Sequence, residues 1–123
     1  MTQEKKILII DDDSKNIYAL SAVLKAKKFP CVSALSAKKG FEILEKDPSI
    51  SLVLLDMMMP EMDGYEAIRL IKDNPTLQNL PVIAVTAQAM AGDKEKCLAA
   101  GADDYLSKPV DLLQLLNVLQ QYY

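Results

Sequence analysis

The sequence predicts a single α/β domain of the doubly wound kind: a five-stranded parallel sheet with helices on both faces. Three observations lead there. Five short apolar runs recur along the 123 residues. Stretches of helical periodicity with recognisable ends lie between them. Strand–helix alternation repeated in this way implies right-handed crossovers, and these produce a parallel sheet covered on both sides.

The apolar runs are Ile7-Leu8-Ile9-Ile10, Cys31-Val32-Ser33-Ala34-Leu35, Leu52-Val53-Leu54-Leu55, Val82-Ile83-Ala84-Val85 and Tyr105-Leu106. Short runs rich in Ile and Val suit parallel strands buried on both faces, where strict alternation is not needed. The first helix opens after Asp13-Ser14, either of which can serve as its N-cap, and ends at Lys27-Lys28 before Phe29-Pro30. Ile17, Leu20, Val23 and Leu24 give it an amphipathic stripe. The second starts after Ser36, carries Phe41 and Leu44, and stops at Asp47-Pro48. The third follows Pro60-Glu61-Met62-Asp63-Gly64, with Asp63 and Glu66 at capping-box spacing and Ile68 and Ile71 facing inward, and ends at Asn74-Pro75. The fourth spans about Met90 to Ala100, with Gly92 near its start as a weak point and Gly101 as its natural terminator. The fifth runs from Asp111 towards the C-terminus on a stripe of Leu112, Leu115, Leu116 and Leu119.

Composition removes much chemistry. Fourteen Lys and Arg against 17 Asp and Glu leave a net charge of −3 and no basic footprint, so direct binding to nucleic acid is not expected. No apolar run approaches the roughly 20 residues that span a bilayer, and residues 1–6 do not begin a signal peptide, so no membrane partner is expected. Cys31 and Cys97 match no CxxC spacing and read as two buried thiols in a reducing cytoplasm. The absence of histidine rules out a Ser-His-Asp triad, a His metal site and a phosphohistidine carrier. Neither a G-x-x-x-x-G-K nor a G-x-G-x-x-G nucleotide fingerprint occurs. With no linker or repeat, residues 1–123 read as one domain without an output module.

In open parallel sheets ligands bind beyond the carboxyl ends of the strands. Asp11-Asp12-Asp13 follow the first run, Asp56 the third, Thr86 the fourth and Lys108-Pro109 the fifth. Taken singly, an Asp before a helix is a cap and an Asp at a strand end is a turn residue. Their joint placement at one crevice argues for more. Clustered Asp11, Asp12 and Asp56 repel unless a cation intervenes, and Mg²⁺ (or Mn²⁺) suits a site of carboxylates, waters and phosphate oxygens. Lys108 adds a second positive charge and Thr86 a neutral donor. Such a set favours phosphoryl transfer by positioning and charge neutralisation, with Asp56 as nucleophile.

These residues also carry a family resemblance. Asp11-Asp12, the segment from Leu52 through Asp56 and Pro60 to Gly64, Ala84-Val85-Thr86-Ala87, and the segment from Ala102 through Tyr105 to Lys108-Pro109 resemble the signatures of the two-component response regulator receiver domain, in order and over essentially the whole chain. Residues 86–101 are especially similar to receivers of hybrid sensor kinases and phosphorelays. The resemblance implies a sheet of order 2-1-3-4-5 and phosphorylation on Asp56. Asp12, Asp56 and the Met58 carbonyl would ligate the metal, with Asp11 acting through water. Lys108 would pair with the acceptor or its phosphoryl group, Thr86 and Tyr105 would form a switch pair, and Met58 and Gln88 would flank the path of attacking water. A cis peptide would precede Pro109. The implied partners are a sensor histidine kinase or histidine phosphotransfer protein and an unidentified downstream protein. The implied device is a switch acting on the face of the fourth helix, fifth strand and fifth helix.

A metal-dependent phosphatase working through an aspartyl-phosphate shares the acids and the lysine. Phosphatases of the haloacid-dehalogenase kind carry a second Asp two residues after the nucleophile, where this chain has Met58, and they need a cap for which five βα units leave little material. Of the remaining residues, Met57, Met58 and Met59 read as loop and core filler, Gly64 as a positive-φ turn, and Tyr122 and Tyr123 as a fraying end.

Overall fold

The computed structural model describes residues 5–59, 64–87 and 92–123. Chain order is β1 (Lys6–Ile10), α1 (Ser14–Ala26), β2 (Cys31–Ala34), α2 (Ala37–Lys46), β3 (Ile50–Asp56), α3 (Gly64–Asp73), β4 (Val82–Thr86), α4 (Asp93–Ala100), β5 (Asp104–Ser107) and α5 (Leu112–Tyr122). The five strands lie in the order β2-β1-β3-β4-β5, and every pairing is parallel. This is the expected doubly wound sheet, whose order reverses between β1 and β3.

Side-chain alternation divides the interior into two layers. Leu8, Ile10, Val53, Leu55, Val82 and Ala84 pack beneath α2, α3 and α4, where Leu44, Ile68, Ile71 and Cys97 meet them. Ile7, Ile9, Leu52, Leu54, Ile83 and Val85 face α1 and α5, meeting Leu24, Leu115, Val118 and Leu119. Two covered faces explain why the central strands are apolar without interruption.

The helix ends follow local chemistry. Asp13, one of the two expected candidates, caps α1 by accepting from the Lys15 amide at 2.9 Å. Ser36 caps α2 through the Lys39 amide at 3.2 Å. The Asp63–Glu66 box cannot be followed, because Asp63 lies outside the described residues.

Several expectations are corrected. Helix α4 begins at Asp93, and Gly92 stands outside it as a left-handed N-cap with φ +87°, so this glycine shapes the entry turn and does not weaken the helix from within. Gly64 is the first residue of α3 and does not take positive φ; a Cβ there would lie 2.7 Å from the Met57 backbone, so close approach is what calls for glycine. On α5, Leu112 is exposed and Val118 takes its place in the core. Met57 and Met59 fill the core as expected, whereas Met58 projects outward, and Cys31 is half-buried while Cys97 is fully enclosed. The terminal tyrosines do not fray: Tyr122 Oη donates to the Asp103 carbonyl at 2.9 Å, Tyr123 Oη donates to the Lys5 carbonyl at 2.6 Å, and the Tyr123 ring meets Phe29 edge-on.

Candidate functional site

The strands deliver the chemistry to one end of the sheet. Strands β1 and β3 are register partners through Ile10 and Leu55, so the residues that follow, Asp11 and Asp56, emerge together. Thr86 closes β4, with Asp56 opposite Val85 and Ser107 opposite Thr86 across the neighbouring pairings. Lys108 comes directly after β5, and its amide donates to the Thr86 carbonyl at 2.8 Å. The Lys108–Pro109 peptide is cis, as expected.

Asp11, Asp56 and Thr86 are 2%, 3% and 2% exposed, and they are the buried polar residues among those described. Asp12 is exposed, yet it brings a carboxylate oxygen into a group with Asp11 and Asp56 in which the three ligand atoms lie within 4.8 Å of one another. Lys108 Nζ bridges two of these acids, at 3.2 Å from Asp11 Oδ2 and 3.4 Å from Asp56 Oδ1. Backbone donors hold the carboxylates in place: the Asp13 amide donates to Asp11 Oδ1 at 2.9 Å, and the Met58 amide donates to Asp56 Oδ1 at 3.2 Å.

The electrostatics are unbalanced towards negative charge. Desolvation pushes the Asp56 carboxyl up to about 6, and the nearby Asp11 charge adds to the rise against the opposing Met58 amide and Lys108 ammonium. Desolvation also works against the Lys108 ammonium, but the Asp56 and Asp11 charges outweigh it and hold its pKa above the ordinary value. A crevice that so disfavours ionisation of a central acid is suited to a small hard cation. The donor set fits one, since Mg²⁺ takes oxygen ligands from one or two carboxylates and keeps several waters.

The sequence-derived residues Asp11, Asp12, Asp56, Thr86 and Lys108 thus come together at one crevice. Met58 flanks Asp56 with its side chain 54% exposed. Gln88 lies outside the described residues. Tyr105 sits on β5 on the side of α3 and α4, and its Oη donates to Asp93 Oδ2 at 3.3 Å. Tyr65 donates to the other oxygen of the same carboxylate, also at 3.3 Å. Sequence reasoning passed over Asp93 and Tyr65. An Asp after Gly at a helix start signals a cap, and nothing in spacing alone distinguishes it from a link between two phenols.

Fold and site together define a class, the doubly wound α/β domain with an acidic crevice and a lysine at the carboxyl end of its sheet. The model of the response regulator receiver domain matches residues 7–120, and the chain belongs to that family. It is 40% identical over 126 aligned residues to the signal transduction histidine-protein kinase BarA of Escherichia coli; the match covers 99% of this chain but 14% of that kinase, so the chain spans about one-seventh of that relative's length. Among solved structures, the receiver domain of a sensor histidine kinase from Pseudomonas aeruginosa superposes with a TM-score of 0.86 at 31% identity, covering 98% of each chain; it has a magnesium ion coordinated in its active-site cleft. The receiver domain of the Saccharomyces cerevisiae response regulator Ssk1, in complex with the histidine phosphotransfer protein Ypd1, superposes with a TM-score of 0.86 at 25% identity, over 99% of this chain and 90% of that one. The chain is therefore a receiver domain of two-component or phosphorelay signalling.

Proposed function

We propose that Asp56 is the phosphoryl acceptor of this receiver, and that it takes its phosphoryl group from a phosphohistidine on a sensor kinase or a histidine phosphotransfer protein. The observation that carries the proposal is the setting of Asp56. It is a buried carboxylate at the end of β3, 3.4 Å from the Lys108 ammonium and grouped with two further acids. One Asp56 oxygen attacks phosphorus in line, the phosphorus–nitrogen bond of the donor breaks, and its electron pair returns to the imidazole. Lys108 neutralises charge on the transferring oxygens, and the Met58 amide orients the carboxylate. Asp12, Asp56 and the Met58 carbonyl would hold Mg²⁺, with Asp11 reaching it through water. The bound ion supplies the positive charge that lets an anion approach an acidic site.

Thr86 and Tyr105 form the switch. Thr86 ends the strand beside Asp56 and carries the hydroxyl able to turn towards a new phosphoryl group, and inward movement of Thr86 makes room for the Tyr105 ring. The face of α4, β5 and α5 then changes for a downstream protein. The partnership with a phosphotransfer protein draws support from the complex containing Ssk1. Work in the cytoplasm draws its support from the match to a signal transduction histidine-protein kinase; among the described residues no helix is long and apolar enough to cross a membrane.

Acetyl phosphate with Mg²⁺ tests the acceptor. The parent protein takes up label, EDTA stops it, and Asp56→Asn abolishes it because an amide does not attack phosphorus. Undiminished, acid-stable labelling of that variant would overturn the assignment.

A further inference from the structure

Asp93 joins three elements, two of which, α4 and β5, belong to the switching face. It is the first residue of α4, and its carboxylate accepts from Tyr65 on α3 through Oδ1 and from Tyr105 on β5 through Oδ2, each at 3.3 Å. A carboxylate in the first turn of a helix ordinarily turns to the helix's own unsatisfied amides. Here both oxygens are directed to phenols on neighbouring elements. Tyr65 is held from a second side as well, since the Lys96 ammonium stands 5.4 Å from the centre of its ring. Both phenols keep their protons: desolvation, with Asp93 and Cys97 nearby, raises the Tyr105 pKa and pushes that of Tyr65 up to about 12. The two tyrosines therefore act as donors, and Asp93 as their shared acceptor.

We propose that Asp93 is a brake on the switch, holding Tyr105 in the resting orientation through its second oxygen while Tyr65 fixes the first. The inference rests on the reading of Thr86 and Tyr105 as the switch pair. A Tyr105 ring that follows Thr86 inward leaves Asp93 Oδ2, so the resting state holds a charge-assisted hydrogen bond that the activated state gives up. Asp93 touches neither the acceptor nor the phosphoryl group, and acts through Tyr105 as a positioning residue. Linkage makes the consequence measurable from the far end. Whatever favours the resting tyrosine must oppose binding of any ligand that favours the activated one, by the same factor.

The test uses beryllofluoride with Mg²⁺ as a phosphoryl mimic, and NMR of the Tyr105 ring and the residues of β5. Asp93→Ala should lower the half-saturating beryllofluoride concentration about three- to tenfold. Without beryllofluoride it should already move the Tyr105 signals part of the way to their bound positions. Tyr65→Phe leaves Tyr105 its acceptor and should give a smaller change in the same direction. Asp93→Asn, which keeps the side-chain volume but has one acceptor oxygen for two phenols, should fall between the parent and the Ala variant and covers the case in which Asp93→Ala does not fold. If half-saturation stays at the parent value or rises, while Thr86→Ala still blunts the response, the brake is refuted and the switch pair stands. If the Tyr105 signals of the parent ignore beryllofluoride altogether, the switch pair is refuted and the brake falls with it.

Discussion

The two ends of this sheet are built to opposite electrostatic plans. At the carboxyl end, Asp11, Asp12 and Asp56 bring three carboxylates together against the Lys108 ammonium, and two of the acids are buried. At the amino end, charges are matched and tied to backbone. Lys6 pairs with Asp47 at 3.1 Å. Lys72 pairs with Asp103 at 2.9 Å and donates to the Leu80 carbonyl at 3.0 Å, while Asp103 Oδ2 also accepts from the Val82 amide at 2.8 Å. Tyr122 and Tyr123 add hydrogen bonds to the Asp103 and Lys5 carbonyls. At the carboxyl end, burial and the Asp11 charge disfavour ionisation of Asp56, a cost that a bound cation would relieve. The amino end supplies stability that asks for no ligand. The difference teaches where function sits: the strained charge is at the end where strands deliver side chains to a crevice.

Substitutions at the two ends should therefore move stability in opposite directions. The largest effect belongs to Asp56. Its carboxyl, at about 6 in the folded protein against an ordinary 3.8, binds a proton more tightly folded than unfolded. That contribution is fully present below the ordinary value and is lost as pH rises through about 6, so the metal-free protein should lose a few kcal/mol of stability across that window. Asp56→Asn should flatten the dependence and be more stable than the parent at neutral pH, and Mg²⁺ should stabilise the parent more than the variant. Urea unfolding in EDTA at a series of pH values checks it. Asp103→Ala, at the amino end, should destabilise by about 2 kcal/mol, chiefly because the Val82 amide loses its acceptor; the ion pair itself is partly exposed and adds little. Tyr122→Phe should cost about 0.5–1 kcal/mol, since its hydrogen bond lies at the surface. A stability gain for Asp103→Ala, or a loss for Asp56→Asn at neutral pH without metal, would break the contrast.

The sequence carried the sheet and the acids plainly, because both follow from periodicity and position. Apolar runs buried on two faces need no alternation, and a residue directly after a run stands at a strand end, as Asp11, Asp56 and Thr86 do, while Lys108 comes one residue later, directly after β5. Less legible were features set by how elements lean on one another. Leu112 and Val118 both lie close enough to the α5 stripe to be core, and the angle of the helix on the sheet decides between them. Gly64 is required by the Met57 backbone, which approaches it across a turn. Tyr122 and Tyr123 are adjacent to a chain end, and only the tertiary position of Lys5, Phe29 and Asp103 gives them partners. Asp93 belongs with these, since two phenols far apart in the chain converge on it.

A phosphoryl group accepted on Asp56 can be located on the polypeptide itself. The protein is treated with acetyl phosphate and Mg²⁺, the acyl phosphate is trapped by borohydride reduction, and tandem mass spectrometry maps the modified residue. A single reduced position is expected at Asp56, absent when EDTA is present. Modification at Asp11 or Asp12 with Asp56 intact would contradict it.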